Sequence, residues 1–150
     1  MSTAVIDASV VLRWAFEDEE DRAGAERVAA AIASGDLDVE GPPNFLLEIC
    51  AALAIGIRGG RIDRTTADDV LAGLAKVAIP EGDPHGFAVA AFELALDHGI
   101  RVPDAASIET ARQARATLVS ADQAQLQAAA NLGIPVVRIA DVGSGIPDSP

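Results

Sequence analysis

The sequence predicts an α/β protein in which helices cover both faces of a parallel central sheet. Short apolar, β-branched segments alternate along the chain with longer segments of helical periodicity, a pattern typical of parallel strands joined by helical crossovers. Aromatic residues make up only 3% of the chain, which disfavours an all-β fold. Half of the residues are hydrophobic, yet no apolar run reaches the ~20 residues that span a bilayer.

The first strand is predicted at residues 4–6, where three apolar residues run into Asp7. Apolar residues at helical spacing follow at positions 10, 11, 14 and 15. An acidic run then forms a solvated loop, and a helix over residues 23–33 ends at Gly35. A weak second strand over 37–39 is stopped by a Gly-Pro-Pro sequence.

The next helix, residues 45–57, is apolar almost all round, so we expect it to be buried together with Cys50. The rest of the chain is predicted as helix 63–77, strand 77–80, helix 85–97, helix 103–114, strand 117–119, helix 123–132 and strand 136–139. Residues 1–140 therefore form one domain, and 141–150, rich in Gly, Ser and Pro, form a flexible tail.

Charge and cysteine content restrict the possible functions. A net charge of −12 disfavours nonspecific binding of nucleic acid over a broad surface. It does not disfavour a metal-dependent nuclease, because bound cations invert the local sign of charge. The single cysteine excludes an intrachain disulfide framework, and the N-terminus lacks the pattern of a secretory signal, so we expect a cytoplasmic protein without a membrane partner.

Four acidic residues are candidate site residues. Asp7 and Asp122 each follow an apolar strand, Glu48 is the only acidic residue in an apolar helix, and Asp104 lies in a first helical turn after Pro103. Because the carboxyl ends of parallel strands share one edge, we expect all four to meet there. Three of them also have a simpler interpretation: Asp7 as a helix cap, Asp104 as an acid favoured by the helix dipole, and Glu48 as a capping-box glutamate, although it lies one residue past the position that a cap at Asn44 requires.

Such a cluster needs neutralisation. Two like charges ~4 Å apart cost about 4 kcal/mol at an effective dielectric constant near 20, and only Arg101 lies near any of the four acids in sequence. Either carboxylates protonate or divalent cations bind. An all-oxygen site suits Mg²⁺ or Mn²⁺, and a pair of such ions is the arrangement that hydrolyses phosphodiester bonds.

The residues that carry these features resemble PIN-domain nucleases, especially the VapC-type toxins of bacterial toxin–antitoxin pairs. The resemblance extends over residues 3–140. The family usually has an aromatic or large residue three positions after the third acid, where this chain has Ser107. The matching motifs are Val5-Ile6-Asp7-Ala8-Ser9, Pro43 through Glu48 to Leu53, Asp104-Ala105, and Ser120-Ala121-Asp122 followed by Leu126.

The resemblance implies a three-layer α/β/α sandwich and a Mg²⁺- or Mn²⁺-dependent endoribonuclease. The four acids would be its catalytic metal ligands, and Ser9 and Ser120 would be hydroxyls that orient carboxylates or water. It also implies a homodimer inhibited by a small antitoxin, and charge complementarity predicts that the antitoxin carries an Arg or Lys to the acidic pocket. Contacts to RNA would come from a few arginines: Arg13, Arg58, Arg61, Arg64, Arg112 and Arg115.

Two other functions stay open on the sequence. One is a catalytically silent PIN-like domain that only binds a protein partner. The other is a receiver-type phosphoacceptor module, which also gathers acids at strand ends but needs a lysine beyond a late strand. The only lysine here, Lys76, lies on a middle helix, which disfavours the receiver.

Overall fold

The computed structural model describes residues 2–144 and 146. Within these residues, four parallel strands form one sheet in the order β2-β1-β3-β4. Strand β1 therefore has a neighbour on each side, and the residue after it lies in the middle of the sheet edge. The strands are β1 (Ser2–Ile6), β2 (Leu37–Glu40), β3 (Thr117–Ser120) and β4 (Val136–Arg138).

The helices agree with the predicted segments to within a few residues at their ends. Two 3-10 segments, Leu74–Lys76 and Ile139–Ser144, add to them. The α-helices of the described residues are α1 (Ala8–Ala15), α2 (Arg22–Ser34), α3 (Phe45–Arg58), α4 (Arg64–Gly73), α5 (Pro84–His98), α6 (Val102–Ala114) and α7 (Gln123–Asn131).

Side chains that alternate along the central strands divide the core into two layers. Ile6 and Val119 point to one face and pack with α1, α2, α3 and α4. Val5 and Leu118, which are paired in register, point to the other face and pack with α6 and α7. Helix α5 lies outside α6 over small alanine contacts. The predicted α/β/α sandwich with a parallel sheet is confirmed.

Helix α3 corrects one prediction, because it is not buried on all sides. Phe45, Ile49 and Leu53 are fully or almost fully buried against the core. On the opposite side Leu47 is 79% exposed, Ile55 is 68% exposed, and the Cys50 side chain is also exposed. The helix contacts the core along a single stripe, so its other apolar face remains in solvent.

The strand predicted over residues 77–80 is reduced to a single bridge. Ala78 pairs with Glu40 in a parallel bridge beside β2, but the pairing goes no further. Pro80 has no backbone N–H and therefore cannot extend the ladder.

The C-terminal part of the domain extends beyond the predicted boundary at residue 140. The 3-10 segment Ile139–Ser144 packs on α2, where a Cβ on Gly24 would overlap the backbone oxygen of Ile139. Val142 is buried in the core of this face. The first residues of the predicted tail are thus part of the fold, while 145 and 147–150 lie outside the described residues.

Candidate active site

Hydroxyls join the carboxyl ends of the two central strands. Asp7 follows β1 and caps α1, because its Oδ2 accepts a hydrogen bond from the Ser9 backbone N–H at 3.0 Å. Ser9 Oγ lies 3.4 Å from Ser120 Oγ and accepts a bond from the Ala121 N–H at 3.2 Å. The two serines predicted to orient the site therefore hold the ends of β1 and β3 together.

Asp122 reaches the same edge from β3. Its backbone N–H donates to Ser120 Oγ at 3.0 Å, and its Oδ1 accepts from the Gln125 backbone N–H at 2.9 Å, which caps α7. Asp7 thus caps a helix, as its simpler interpretation predicts, and Asp122 does the same for α7. Capping uses only part of each carboxylate, since an ionised carboxylate has about four acceptor positions.

Two further side chains contact Asp7, and neither was identified from the sequence as a site residue. Ser107 Oγ on α6 donates to Asp7 Oδ1 at 2.9 Å. Gln125 Nε2 on α7 donates to the same oxygen at 3.1 Å and to the backbone oxygen of Asp104 at 2.9 Å. In the sequence, Ser107 is evident only as a departure from the family pattern. The available signal was a polar residue among the apolar positions of its helix, and such residues need a partner when buried.

Asp104 is buried in the first turn of α6 and is paired with Arg101. Two hydrogen bonds, both of 2.9 Å, join the guanidinium to the two carboxylate oxygens. Burial raises the pKa of Asp104, the bonds to Arg101 oppose this, and the negative charges of Asp7 and Asp122 raise the pKa further. The Arg101 side chain is itself 73% exposed, so this counter-charge sits at the mouth of the site.

Glu48 reaches the cluster from the first turn of α3. Asn44, which makes no capping bond, donates from Nδ2 to Glu48 Oε2 at 3.2 Å. Burial raises the pKa of Glu48, and the charges of Asp7 and Asp104 raise it further, while Arg101 lowers it. The charges of Asp7 and Asp104 act on Glu48, and the charges of Asp7 and Asp122 act on Asp104. The four acids therefore share one electrostatic environment.

The cluster fits a divalent cation in donor chemistry and in charge. All its donors are oxygen, as Mg²⁺ and Mn²⁺ prefer, and its formal charges are four negative against the one positive charge of Arg101. The side chains are not arranged as a finished site: within the described residues, no group of three Asp, Glu, His or Cys side chains is placed to hold a metal ion. Both oxygens of Asp104 are bonded to Arg101, so a cation at Asp104 would replace that arginine.

Several of the arginines predicted to contact RNA are bonded to acids elsewhere. Arg61 bonds to Asp18 at 2.7 Å and lies over the Phe16 ring, and Arg112 holds the buried Glu109 at 2.6 Å. Arg64 pairs with Asp68 in the next turn of α4, and Arg13 donates to backbone oxygens of Ser9 and Glu20.

The remaining two, Arg58 and Arg115, lie at the carboxyl ends of α3 and α6. Glu48 and Asp104 lie in the first turns of these same helices, and at 1.5 Å per residue the separation along the axis is about 15 Å. The structure therefore does not bring these arginines to the acid cluster. Among the described residues, Arg101 is the basic residue that bonds to one of its acids.

A separate groove of about 900 Å³ opens on the side of the molecule formed by α1, α2 and α4. Its wall combines apolar side chains such as Trp14 and Ile32 with charged ones such as Arg22, Asp69 and Lys76. None of the four clustered acids lines it. The groove is therefore a feature distinct from the candidate active site.

The chain thus combines a three-layer α/β/α fold with acidic side chains at the carboxyl edge of its parallel sheet. The sequence profile of the PIN domain matches residues 4–131, and the chain therefore belongs to the PIN domain family. Members of this family are generally nucleases, which typically use divalent metals.

The crystal structure of PAE2754 from Pyrobaculum aerophilum has the same fold, with a TM-score of 0.66 and 19% sequence identity over 93% of this chain and 92% of that one. A comparison with curated proteins finds no match. Within the described residues, no helix combines the length and apolar character needed to cross a membrane.

Proposed function

We propose that the protein is a Mg²⁺- or Mn²⁺-dependent endoribonuclease of the VapC toxin type, active in the cytoplasm, with Asp7, Glu48, Asp104 and Asp122 as its metal ligands. The observation that supports this proposal is the meeting of four acids from separate elements at one sheet edge. Burial and mutual repulsion there raise the pKa of both Glu48 and Asp104. A cluster that destabilises its own ionised form is best explained by a cation that binds it.

The carboxylates, the helix N-termini and the two serines would have different roles in the reaction. The carboxylates would hold the cations, and the N-termini of α1, α6 and α7 would stabilise the negative charge of carboxylates and phosphate. Ser9 and Ser120 fix the spacing of the two central strand ends. When bound, the metal supplies an activated water and charge stabilisation of the departing oxygen.

A cleavage assay tests the proposal. Purified protein is incubated with structured RNAs and Mn²⁺ or Mg²⁺, with and without chelator, beside the variants Asp7→Asn and Asp38→Asn. Asp38 is an exposed acid on β2, so it controls for the loss of one surface charge. We expect Asp38→Asn to cleave normally and Asp7→Asn to lose at least ~10²-fold in rate, as expected when a group that positions a metal is removed. Equal cleavage by wild type and Asp7→Asn would refute it.

A small antitoxin is the protein partner we propose. The groove beside α1, α2 and α4 offers apolar and charged contacts to a segment of such a partner, and the acid cluster attracts a basic side chain. A second short chain should therefore co-purify from the native host under mild salt. A monomer without that chain at every expression level would contradict this part of the proposal.

A homodimer accounts for apolar surface that the fold leaves exposed. Leu47 and Ile55 on α3, and Val89, Phe92 and Leu96 on α5, are all exposed. The three α5 residues lie at i, i+3 and i+7 and therefore share one helix face. Light scattering at micromolar concentration should give twice the mass of the chain.

One observation favours a second candidate, a silent PIN-like domain that only binds a partner. Arg101 already neutralises Asp104, and such a pair would serve a protein that never binds metal. Mn²⁺ separates the two candidates, because a ligand that binds only the native state raises its melting temperature. A melting temperature that does not change with Mn²⁺ would support the catalytically silent domain. The receiver alternative is disfavoured, because Lys76 lines the groove, which none of the four acids lines.

A further inference from the structure

The two oxygens of Asp7 are hydrogen-bonded unequally. Oδ1 accepts from Ser107 Oγ at 2.9 Å and from Gln125 Nε2 at 3.1 Å, whereas Oδ2 accepts from the Ser9 N–H at 3.0 Å. Because a carboxylate oxygen has about two acceptor positions, Oδ1 is saturated and Oδ2 keeps one position open. Asp7 is thus prepared to bind a cation through one particular oxygen.

Gln125 is an unusual residue for its place. It is fully buried, and its Oε1 has no hydrogen-bond partner among the described residues. A buried acceptor without a partner destabilises the fold, and leucine would fill a similar volume without one. The Nε2 group compensates, since it links Asp7 on the β1 side to the backbone of Asp104 on α6. The donor Nε2 therefore explains why a glutamine occupies this position, and its hydrogen bonds go to the acid cluster.

We propose that Ser107 and Gln125 are positioning residues that make Asp7 a one-oxygen ligand and thereby favour Mg²⁺ or Mn²⁺ over Ca²⁺. This inference rests on the proposed metal-dependent function. Mg²⁺ demands near-ideal octahedral coordination, whereas Ca²⁺ takes six to eight oxygens and readily accepts both oxygens of one carboxylate. The two hydrogen bonds to Oδ1 disfavour binding of a cation by both oxygens of Asp7, and neither donor contacts the cation.

The polar pair has a distinct origin in the fold. Ser107 comes from α6 and Gln125 from α7, so both helices must pack on the sheet before Oδ1 acquires its two donors. Ser107 occupies the position where the resembling family usually has a large side chain. Hydrogen bonds to metal ligands typically change metal affinity by 10–100-fold, which is enough to set a preference between cations.

Calorimetric titration with Mn²⁺ and with Ca²⁺ tests this inference, using wild type, Ser107→Ala, Gln125→Leu and the double variant. We expect the Kd for Mn²⁺ to rise about tenfold in each single variant, while the Kd for Ca²⁺ stays the same, so that the preference for Mn²⁺ falls by about tenfold. Gln127→Leu is the matched control, because Gln127 is exposed on the same helix and its side-chain amide donates to Asn131, away from Asp7. It should leave both constants unchanged.

Further variants separate positioning from packing. Ser107→Thr keeps the hydroxyl and should retain the wild-type preference, whereas Ser107→Ala should not. If Gln125→Leu fails to fold, as judged by its melting temperature without metal, the comparison of Ser107→Ala with Ser107→Thr decides. An unchanged Mn²⁺-to-Ca²⁺ ratio in Ser107→Ala and the double variant would overturn the inference, as would equal weakening of both cations.

The titration also distinguishes this inference from the proposed function. A wild type that prefers Mn²⁺ but cleaves no RNA, together with variants that lose this preference, would refute the nuclease and support the positioning role. Wild type that cleaves RNA while its variants keep the same cation ratio would refute only the positioning role. Wild type that binds neither cation overturns both.

Discussion

Replacing Arg101 with glutamine should strengthen metal binding. Arg101 is the basic side chain bonded to the cluster, with two hydrogen bonds of 2.9 Å to Asp104. A cation that binds Asp104 must displace this guanidinium and remain near its positive charge. Glutamine keeps part of the aliphatic stem and removes the charge.

The size of the effect follows from exposure. Two unit charges 4 Å apart interact by about 1 kcal/mol in water, so a doubly charged ion is repelled by about 2 kcal/mol. The Arg101 side chain is 73% exposed, which places it near this aqueous limit rather than the interior one. Salt screening and the freedom of the arginine to swing away reduce the value further, since exposed ion pairs contribute only about 0–1 kcal/mol. We therefore expect a gain of about 1 kcal/mol, or a Kd for Mn²⁺ about fivefold lower.

Calorimetric titration of Arg101→Gln with Mn²⁺ measures this directly. Arg64→Gln is the matched control, because Arg64 is similarly exposed but pairs with Asp68 away from the cluster. The gain should shrink at about 1 M salt, where charges are screened within ~3 Å. An unchanged or weaker affinity in Arg101→Gln would refute the reasoning and show that the arginine supports Asp104 rather than competing for it.

Three further predictions concern stability and assembly. Gly24→Ala should lower the free energy of unfolding by about 1–3 kcal/mol, because its Cβ would overlap the backbone of the 3-10 segment Ile139–Ser144. Gly73→Ala has open space around its Cβ and should raise the free energy of unfolding by up to about 1 kcal/mol. Urea denaturation measures both variants, and a stabilising Gly24→Ala would contradict the packing of this segment on α2. Folding raises the pKa of Glu48 above its ordinary value of 4.5, so its ionised form destabilises the native state at neutral pH, and this penalty fades as the pH falls through the folded-state pKa. Metal-free Glu48→Gln should therefore unfold at higher urea than wild type at neutral pH and at the same urea below pH 4.5; no difference at neutral pH would count against the repulsion. Leu47→Glu should convert the proposed dimer to a monomer by light scattering, whereas Leu132→Glu, on a different exposed position, should not; two dimeric variants would place the interface elsewhere.

The sequence predicted those features that depend on local signals. The apolar run that ends at Asp7 identifies a buried strand and its terminal acid, and the repeat of this pattern at Asp122 places both at one edge. The sequence also shows Arg101 as the basic residue near these acids, but it does not predict the two hydrogen bonds to Asp104.

Features that depend on distant neighbours were not predictable in this way. The hydrogen bonds from Ser107 and Gln125 to Asp7 join residues 100 and 118 positions apart, so no local pattern reveals them. Helix α3 is apolar on every side, and such a sequence carries no information about which side meets the core. The 77–80 segment has strand-like residues, but it found a partner in the sheet only at Ala78.

The order of the strands in the sheet determines when the acid cluster can assemble during synthesis. β1 is made before its neighbour β3, which begins at Thr117, so the contact between Ser9 and Ser120 joins residues 111 positions apart. Long-range pairing of this kind is slow to form. The acidic edge can therefore be completed only after Asp122 has been made, long after Asp7 has left the ribosome.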